Sequence, residues 1–411
     1  MSAVDLKASE NATWPSSQAA IQAVRAGALT FTAGQVALGP RGEVLHPGDL
    51  GLQIGAAVAH LEAALRQCGA GLAEVVKIIA FFVPDRSCDE RDFTELLARA
   101  LPAELSIALC VVPVTALPLW GLRVQLQAVA IDHGIRRTIA PTAELPPLPR
   151  PFVHGVRGGE MIFPSAQSAR LPDGSIAFDG DIVAQSKLAM NRLETILRLL
   201  GADLDDVVKQ NRWASGDPSE EAWKPAALAV ANRYSEPGPV ATGIDIPEDV
   251  AGRVLIKIDV IAMRGVDGRR LPRTHAWPQG HWDWPIHLTY KHGCRCGDFV
   301  FVGGQVSWDP KSRIIDPGAM IPQTRRTMEN IARILGDLGA GMEDVVLVTS
   351  FYNPTRTLDD AEHNWSTCQA AFPGAGPAFV AVPNLFPTYP DMLTEIEAIA
   401  YVRPAASSSQ T

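Results

Sequence analysis

Cysteine is scarce in this chain, basic runs are missing, and no apolar stretch is long. The six cysteines among 411 residues, Cys68, Cys88, Cys110, Cys294, Cys296 and Cys368, are unevenly spread. That argues against a disulfide framework and for reduced thiols. No uninterrupted apolar run approaches the roughly 20 residues that cross a bilayer. The start, Met1-Ser-Ala-Val-Asp-Leu-Lys, has no basic stretch leading into an apolar one, so a cytoplasmic location is expected. A net charge of -9 without a sustained basic run leaves no electrostatic footprint for nucleic acid or an anionic membrane. Small-molecule ligands are the expectation.

What the sequence does contain is a threefold repeat. Thr32-Ala-Gly-Gln35, Pro164-Ser-Ala-Gln167 and Val302-Gly-Gly-Gln305 each close a β-rich run, and their glutamines stand 132 and 138 residues apart. Gly69, Gly201 and Gly339, each followed by a Val-Val pair, repeat at the same two offsets. So do the closing runs Gln125-Leu-Gln-Ala-Val-Ala130, Lys257-Ile-Asp-Val-Ile-Ala262 and Glu395-Ile-Glu-Ala-Ile-Ala400. Landmarks sharing one register predict three copies of a single module.

Each copy reads as short period-two strands, a long amphipathic helix stopped by glycine, a buried strand, a second helix and two closing strands. In the first copy Ala57, His60, Leu61, Ala64, Leu65 and Cys68 recur at helical spacing. This pattern predicts α/β modules over 15–134, 149–265 and 283–403, with helices covering one sheet face and the other face needing cover as well. Residues 133–151 and 265–284, rich in proline, arginine and polar residues, read as exposed linkers, and 404–411 as a disordered tail.

The order of these landmarks, and Glu395-Ile-Glu-Ala-Ile-Ala400 in particular, resembles the reactive-intermediate deaminase family (RidA, or YjgF), which has a chorismate-mutase-like fold. The resemblance covers nearly the whole chain, three times over. It implies an intrachain pseudo-trimer with sheets inside, helices outside and pockets in the clefts between modules, further self-association being open. It also implies hydrolysis of enamines and imines without a cofactor. An arginine near the start of the penultimate strand, a tyrosine, a serine and a glutamate would form the family pocket. Here the arginine slot holds Leu109, Ala241 and Phe379; the tyrosine slot Ala20, Phe152 and Tyr290; the serine slot Ala33, Ser165 and Gly303; the glutamate slot Gln125, Lys257 and Glu395.

No leucine, alanine or phenylalanine replaces the planar fork of a guanidinium. The expected site is therefore one specialised cleft. Glu395 and Tyr290 would be its catalytic residues, with Phe379 binding substrate in the same cleft, and Gly303, Ser165 and Lys257, the last two in slots of the second copy, are further substrate-binding candidates; which of the three clefts is active stays open. The reaction expected is that of a metal-free hydrolase or deaminase acting on a small, partly apolar imine, enamine or related C–N compound. A non-catalytic binding or regulatory module is one alternative. Chorismate-type hydrolase or lyase chemistry is another, for which Arg123, Arg253 and Lys257 are the replacement cations on offer. The stretch from His275 to Cys296 is rich in histidine and tryptophan, but Cys294-Arg-Cys296 lacks the paired spacing of a zinc site, so no metal is expected. Arg25, Arg157 and Arg295, at equivalent strand-to-turn positions, are expected to be structural.

Overall fold

In a computed structural model of the chain, residues 21–132, 136–138, 145, 147–246, 251–353, 358–386 and 388–403 are described. Ala20 and the tail 404–411 lie outside them. Three helices of 18 residues, Leu50–Gln67, Ile182–Leu199 and Met320–Asp337, occupy the same place in each copy. Asp49 and Asp181 cap the first two by accepting the backbone N–H of Leu52 and Ala184, while Ala319 leaves the third uncapped by a side chain. Beyond the C-terminal ends, Gly69, Gly201 and Gly339 adopt φ of 77°, 79° and 70°, the left-handed conformation that glycine tolerates without strain. The orphan carbonyls there are met from outside the helix. Arg25, Arg157 and Arg295 donate through Nη1 to the carbonyls of Cys68, Leu200 and Leu338 at 3.2, 3.0 and 2.9 Å. The three equivalent arginines thus fasten helix to strand.

Each copy forms one mixed sheet. In the first, the order runs Ala23–Ala26, Leu29–Thr32, Val124–Ile131, Val75–Phe82, Ile107–Pro113. The last two are parallel and the rest antiparallel. The linkers depart from the sequence reading. Arg136–Thr138 pairs with Gly155–Gly158, Arg273–Ala276 pairs with Gly293–Cys296, and Phe152–Val153 adds to the sheet of the first copy. Leu145, Ala276 and Trp282 are buried. Backbone pairing and these apolar side chains hold the described stretches 136–138 and 273–276 on the sheets, while 266–270 stay exposed.

The sheets face inward. A helix-to-sheet core lies within each copy, and one central core draws side chains from all three. At its centre Trp213 meets Phe81 and Phe351 edge to face, at 5.8 and 5.6 Å between ring centroids. These residues are equivalent by the same 132 and 138 offsets, so they mark the pseudo-threefold axis. The ring closes on itself through the penultimate strand of each copy. Ala166 N donates to the Leu109 carbonyl (2.9 Å), Gly304 N to Thr242 Oγ1 (2.9 Å) and Gly34 N to the Phe379 carbonyl (3.1 Å). Copy one thus meets two, two meets three, and three returns to one. None of the described helices is long and apolar enough to cross a membrane.

Candidate functional site

The direction of the ring decides which slots share a cleft. The arginine slot of each copy faces the glutamate slot of the next, giving Leu109 with Lys257, Ala241 with Glu395, and Phe379 with Gln125. Each cleft is furnished differently.

In the cleft between copies three and one, Gln125 Nε2 donates to the Ala381 carbonyl at 3.0 Å. The Phe379 ring packs with Tyr352, Trp365 and Leu393. Phe379 therefore does not share a cavity with Glu395 and Tyr290, contrary to the sequence expectation. The strand facing Glu395 is Val240–Asp245 of the second copy, not Ala378–Pro383 of the third.

Between copies one and two, Ser165 and Lys257 line a cavity of about 380 Å3. Lys257 is 5% exposed and already bound to Glu90 Oε1 at 2.6 Å and to the Val111 carbonyl. Ser165 Oγ donates to the Val153 carbonyl (2.6 Å) and accepts from Leu109 N (2.8 Å), so its hydroxyl holds the seam. Ser165 and Lys257 thus belong to a cleft separate from Glu395. The other cations considered from sequence are engaged as well: Arg123 with Asp85 at 2.7 Å, and Arg253 with Asp179.

The cleft between copies two and three is the one that unites Glu395 with Tyr290. Its cavity, of about 120 Å3, is lined by Trp223, Trp282, Trp284 and Trp308, with Arg212, Asp245, Tyr290, Tyr389 and Glu395 as its ionisable groups. Glu395 is 7% exposed. Burial, reinforced by the nearby Glu397 and Asp245 carboxyls, pushes its pKa up to about 8; a hydrogen bond from the Gly243 backbone and the Arg212 charge pull the other way. The carboxyl is thus mostly protonated at neutral pH. Asp245, half-buried and approached by Thr388 N at 3.3 Å, is likewise raised by desolvation.

Tyr290 accepts from Gln210 Nε2 at 3.1 Å, and Gln210 Oε1 in turn accepts from Tyr234 at 2.6 Å. Burial lifts the Tyr290 hydroxyl to about 12, so it keeps its proton and serves as a donor. Behind the tryptophans, His292 stacks on Trp284 with ring centroids 4.9 Å apart and faces the Trp282 carbonyl at 3.0 Å. Burial holds His292 and His281 neutral by lowering both. Among the described residues no group of three or more His, Cys, Asp or Glu could hold a metal ion.

Gly303 and Gly304 divide the role expected of Gly303. A Cβ on Gly303 would lie 2.7 Å from the Ala241 carbonyl oxygen, so glycine there permits close approach of two copies. Gly304 lines the cavity, and a side chain there would occupy the space of the Glu395 carboxyl. The three marker glutamines are structural: Gln35, Gln167 and Gln305 each turn their amide onto the carbonyl two residues back, at 3.3, 2.9 and 3.1 Å.

Sequence reasoning missed Arg212, on the strand Val207–Ala214, together with Asp245 and the Gln210–Tyr234 relay. No sequence signal singles out Arg212, because Gly243 becomes its neighbour only through the cross-strand register of the fold.

Comparison with known proteins agrees with this architecture. The family model Endoribonuclease L-PSP matches residues 14–132 and 285–402. A RutC family protein of Pyrococcus abyssi is 38% identical over 112 residues, 27% of this chain and 85% of that protein. A second, of Pyrococcus horikoshii, is 36% identical over 112 residues, 27% of this chain and 86% of its own length. A crystal structure of a chorismatase shares the fold with a TM-score of 0.52 and 14% identity, covering 80% of this chain and 93% of the other. With the first and third copies matched by the family model and the second built on the same register between them, the chain belongs to the Endoribonuclease L-PSP family, as three RidA-like modules closed into one ring.

Proposed function

We propose that the chain hydrolyses a C=N bond, in an imine or the imine form of an enamine, at the cleft between the second and third modules. The observation that carries this reading is the buried Glu395 carboxyl, held protonated near neutral pH inside an aromatic cavity beside the Tyr290 hydroxyl. A neutral carboxylic acid in such a place donates a proton to the substrate nitrogen as water adds to the carbon. The carboxylate so formed takes a proton from the added water. The carbinolamine then collapses to a carbonyl compound and releases ammonia or an amine, and the overall balance is one water consumed per C=N bond cleaved. Tyr290, a fixed donor, orients the water or the departing nitrogen. The small cavity favours a compact, partly apolar substrate.

Chorismate-type chemistry, suggested by the name of the chorismatase that shares the fold, is the weaker reading. Arg123, Arg253 and Lys257, the cations it was expected to use, are each committed to a carboxylate of this chain.

The test is release of the carbonyl product from imines generated in situ by oxidation of small amines and amino acids. The parent should exceed the rate in buffer, and Glu395→Gln should lose about 100-fold or more, the scale of general acid–base catalysis, while still binding ligand. A parent no faster than buffer across neutral and anionic imines would replace this reading with the non-catalytic binding module.

A further inference from the structure

The cavity between the first and second modules plays no part in the hydrolysis proposed for the Glu395 cleft. Its volume of about 380 Å3 nevertheless falls within the roughly 300 to 1,000 Å3 of small-molecule sites. One wall is the closing strand of the second module, Ile256–Met263, which carries Lys257. The facing wall is the penultimate strand of the first module, Ile107–Pro113, with Glu90 at the start of the helix Glu90–Arg99.

Pseudo-symmetry fixes where the Lys257 amine stands. Val111, Gly243 and Ala381 are equivalent by the 132 and 138 offsets, and a glutamate-slot side chain from the next module meets the backbone of each. Lys257 Nζ donates to the Val111 carbonyl, Gln125 Nε2 donates to the Ala381 carbonyl at 3.0 Å, and the Glu395 carboxyl accepts from the Gly243 N–H. Lys257 therefore sets a primary amine where the neighbouring cleft sets its carboxyl, and both groups line a cavity.

The amine comes with a proton acceptor. Glu90 Oε1 lies 2.6 Å from Lys257 Nζ, and the lysine is 5% exposed. When one proton crosses that contact, the ammonium–carboxylate pair becomes a neutral amine and a carboxylic acid with no change in net charge. A site short of water favours that exchange, because the ions lose the solvation that would hold them apart. A lysine freed of its proton in such a place is a nucleophile for carbonyl carbon. Two arginines of the cavity hold its wall instead: Arg192 Nη1 donates to the carbonyls of Ser168 and Arg170 at 2.6 and 2.7 Å, and Arg170 Nη1 to that of Gly174 at 3.2 Å. Leu109, Val111, Leu148, Leu171 and Pro172 supply an apolar lining.

We propose that this cleft captures a small apolar aldehyde as an imine of Lys257, with Glu90 moving the protons. Glu90 takes a proton from the ammonium, the free amine adds to the carbonyl carbon, and the surplus proton on nitrogen passes to the former carbonyl oxygen, giving a carbinolamine. Glu90 then returns its proton to the hydroxyl, which leaves as water while the C=N bond forms. One aldehyde and one lysine ammonium give one iminium and one water, and nothing is oxidised or reduced. The iminium bears the same single charge as the ammonium, so Glu90 is counterion to both and the cleft gains no unpaired charge. Neither Gln125 nor Glu395 offers an amine, so among the three slots this chemistry belongs to Lys257. The site shares no lining residue with the Glu395 cleft, and the proposal does not rest on the reading of that cleft.

The test incubates the full chain with butanal and cyanoborohydride at neutral pH, which reduces an iminium to a stable secondary amine, and locates the alkylated lysines by peptide mapping. Lys257 should be labelled at least tenfold faster than the exposed Lys311. Lys77 and Lys209, equally buried and ion-paired in the seams, are the controls and should stay unlabelled. Glu90→Gln should slow labelling of Lys257 by about 100-fold, the lower end of general acid–base catalysis. Glycolaldehyde, compact but polar, should label Lys257 at least tenfold more slowly than butanal. Labelling of Lys257 no faster than that of Lys311, or at the same rate with and without the Glu90 carboxyl, overturns the proposal. The first comparison uses the parent chain alone and decides the matter even if the Glu90 variant does not fold. Glycolaldehyde reacting at Lys257 as fast as butanal overturns the apolar substrate class.

Discussion

Lys209 Nζ lies 2.6 Å from Glu397 Oε2, a buried ion pair that joins the second module to the third. Lys77 and Asp259 make the equivalent pair between the first and second modules, and the corresponding positions at the remaining seam hold Leu347 and Gln127. The ring thus contains its own control: two seams close on charge and the third on a neutral combination.

That comparison predicts a strongly non-additive outcome. Lys209→Leu alone leaves the Glu397 carboxyl buried with only Asn211 and Thr242 as donors, and should destabilise the chain by about 3 to 5 kcal/mol. Lys209→Leu combined with Glu397→Gln copies the neutral seam and should recover most of that loss. Urea unfolding of the two single variants and the double variant measures the coupling. Simple addition of the single effects would show that the seam is not held by the pair.

The Glu395 carboxyl should leave its mark on the pH dependence of stability. Its folded pKa of about 8 lies above the ordinary glutamate value of 4.5, so between those limits the folded state binds more proton than the unfolded state. Stability from this group is complete below about 4.5 and declines as the pH rises toward 8, by roughly 1.4 kcal/mol for each pH unit at full displacement. Glu395→Gln removes the titration. The variant should match the parent near pH 5 and exceed it in melting temperature by several degrees near pH 8. If Glu395 acts as the acid, turnover of the parent should also fall above about 8.

Tyr290 should act as a donor and not as a base. Because burial holds its hydroxyl near 12, no ionisation of this residue falls in the working pH range. Tyr290→Phe should lower kcat by about 10- to 100-fold without moving the alkaline limb of the pH profile, whereas loss of that limb would make Tyr290, not Glu395, the titrating group.

Much of this was legible in the sequence because a repeat declares itself by spacing. The offsets of 132 and 138 located the helices, the closing strands and the slots of all three copies. Spacing does not say which slots face each other. The order in which the modules close is a tertiary property, and it moved Phe379 to the cleft of Gln125 and left Ala241 opposite Glu395. Nor does spacing reveal engagement: Lys257 and Ser165 stand in the sequence as substrate-binding candidates, and in the fold Glu90 and the seam backbone satisfy them. Arg212 was hidden for a related reason. In Lys209-Gln-Asn-Arg212 it reads as one more polar residue in a strand, and only the cross-strand glycine and the cavity distinguish it from its neighbours.

Gly304 and Gly34 provide the sharpest test of which cleft is active, because they are equivalent residues in front of different partners. A Cβ on Gly34 would lie 2.7 Å from the Gln125 side chain, and one on Gly304 would displace the Glu395 carboxyl. The backbone itself accepts a methyl group at this position, since the second copy carries Ala166. Gly34→Ala and Gly304→Ala should therefore cost similar stability, about 1 to 3 kcal/mol for overpacking a closed seam. Their effects on turnover should diverge. Gly34→Ala disturbs a cleft already filled by Gln125 and the Ala381 carbonyl and should leave kcat near the parent value. Gly304→Ala pushes aside the proton-donating carboxyl and should lower kcat by 100-fold or more with KM little changed, because shifting an acid by about 1 Å forfeits much of its advantage. Thermal unfolding and steady-state kinetics of the two variants side by side decide the point. Equal losses of turnover would mean that the Glu395 cleft has no privileged role, and a larger loss in Gly34→Ala would move the active site to the seam between the third and first modules.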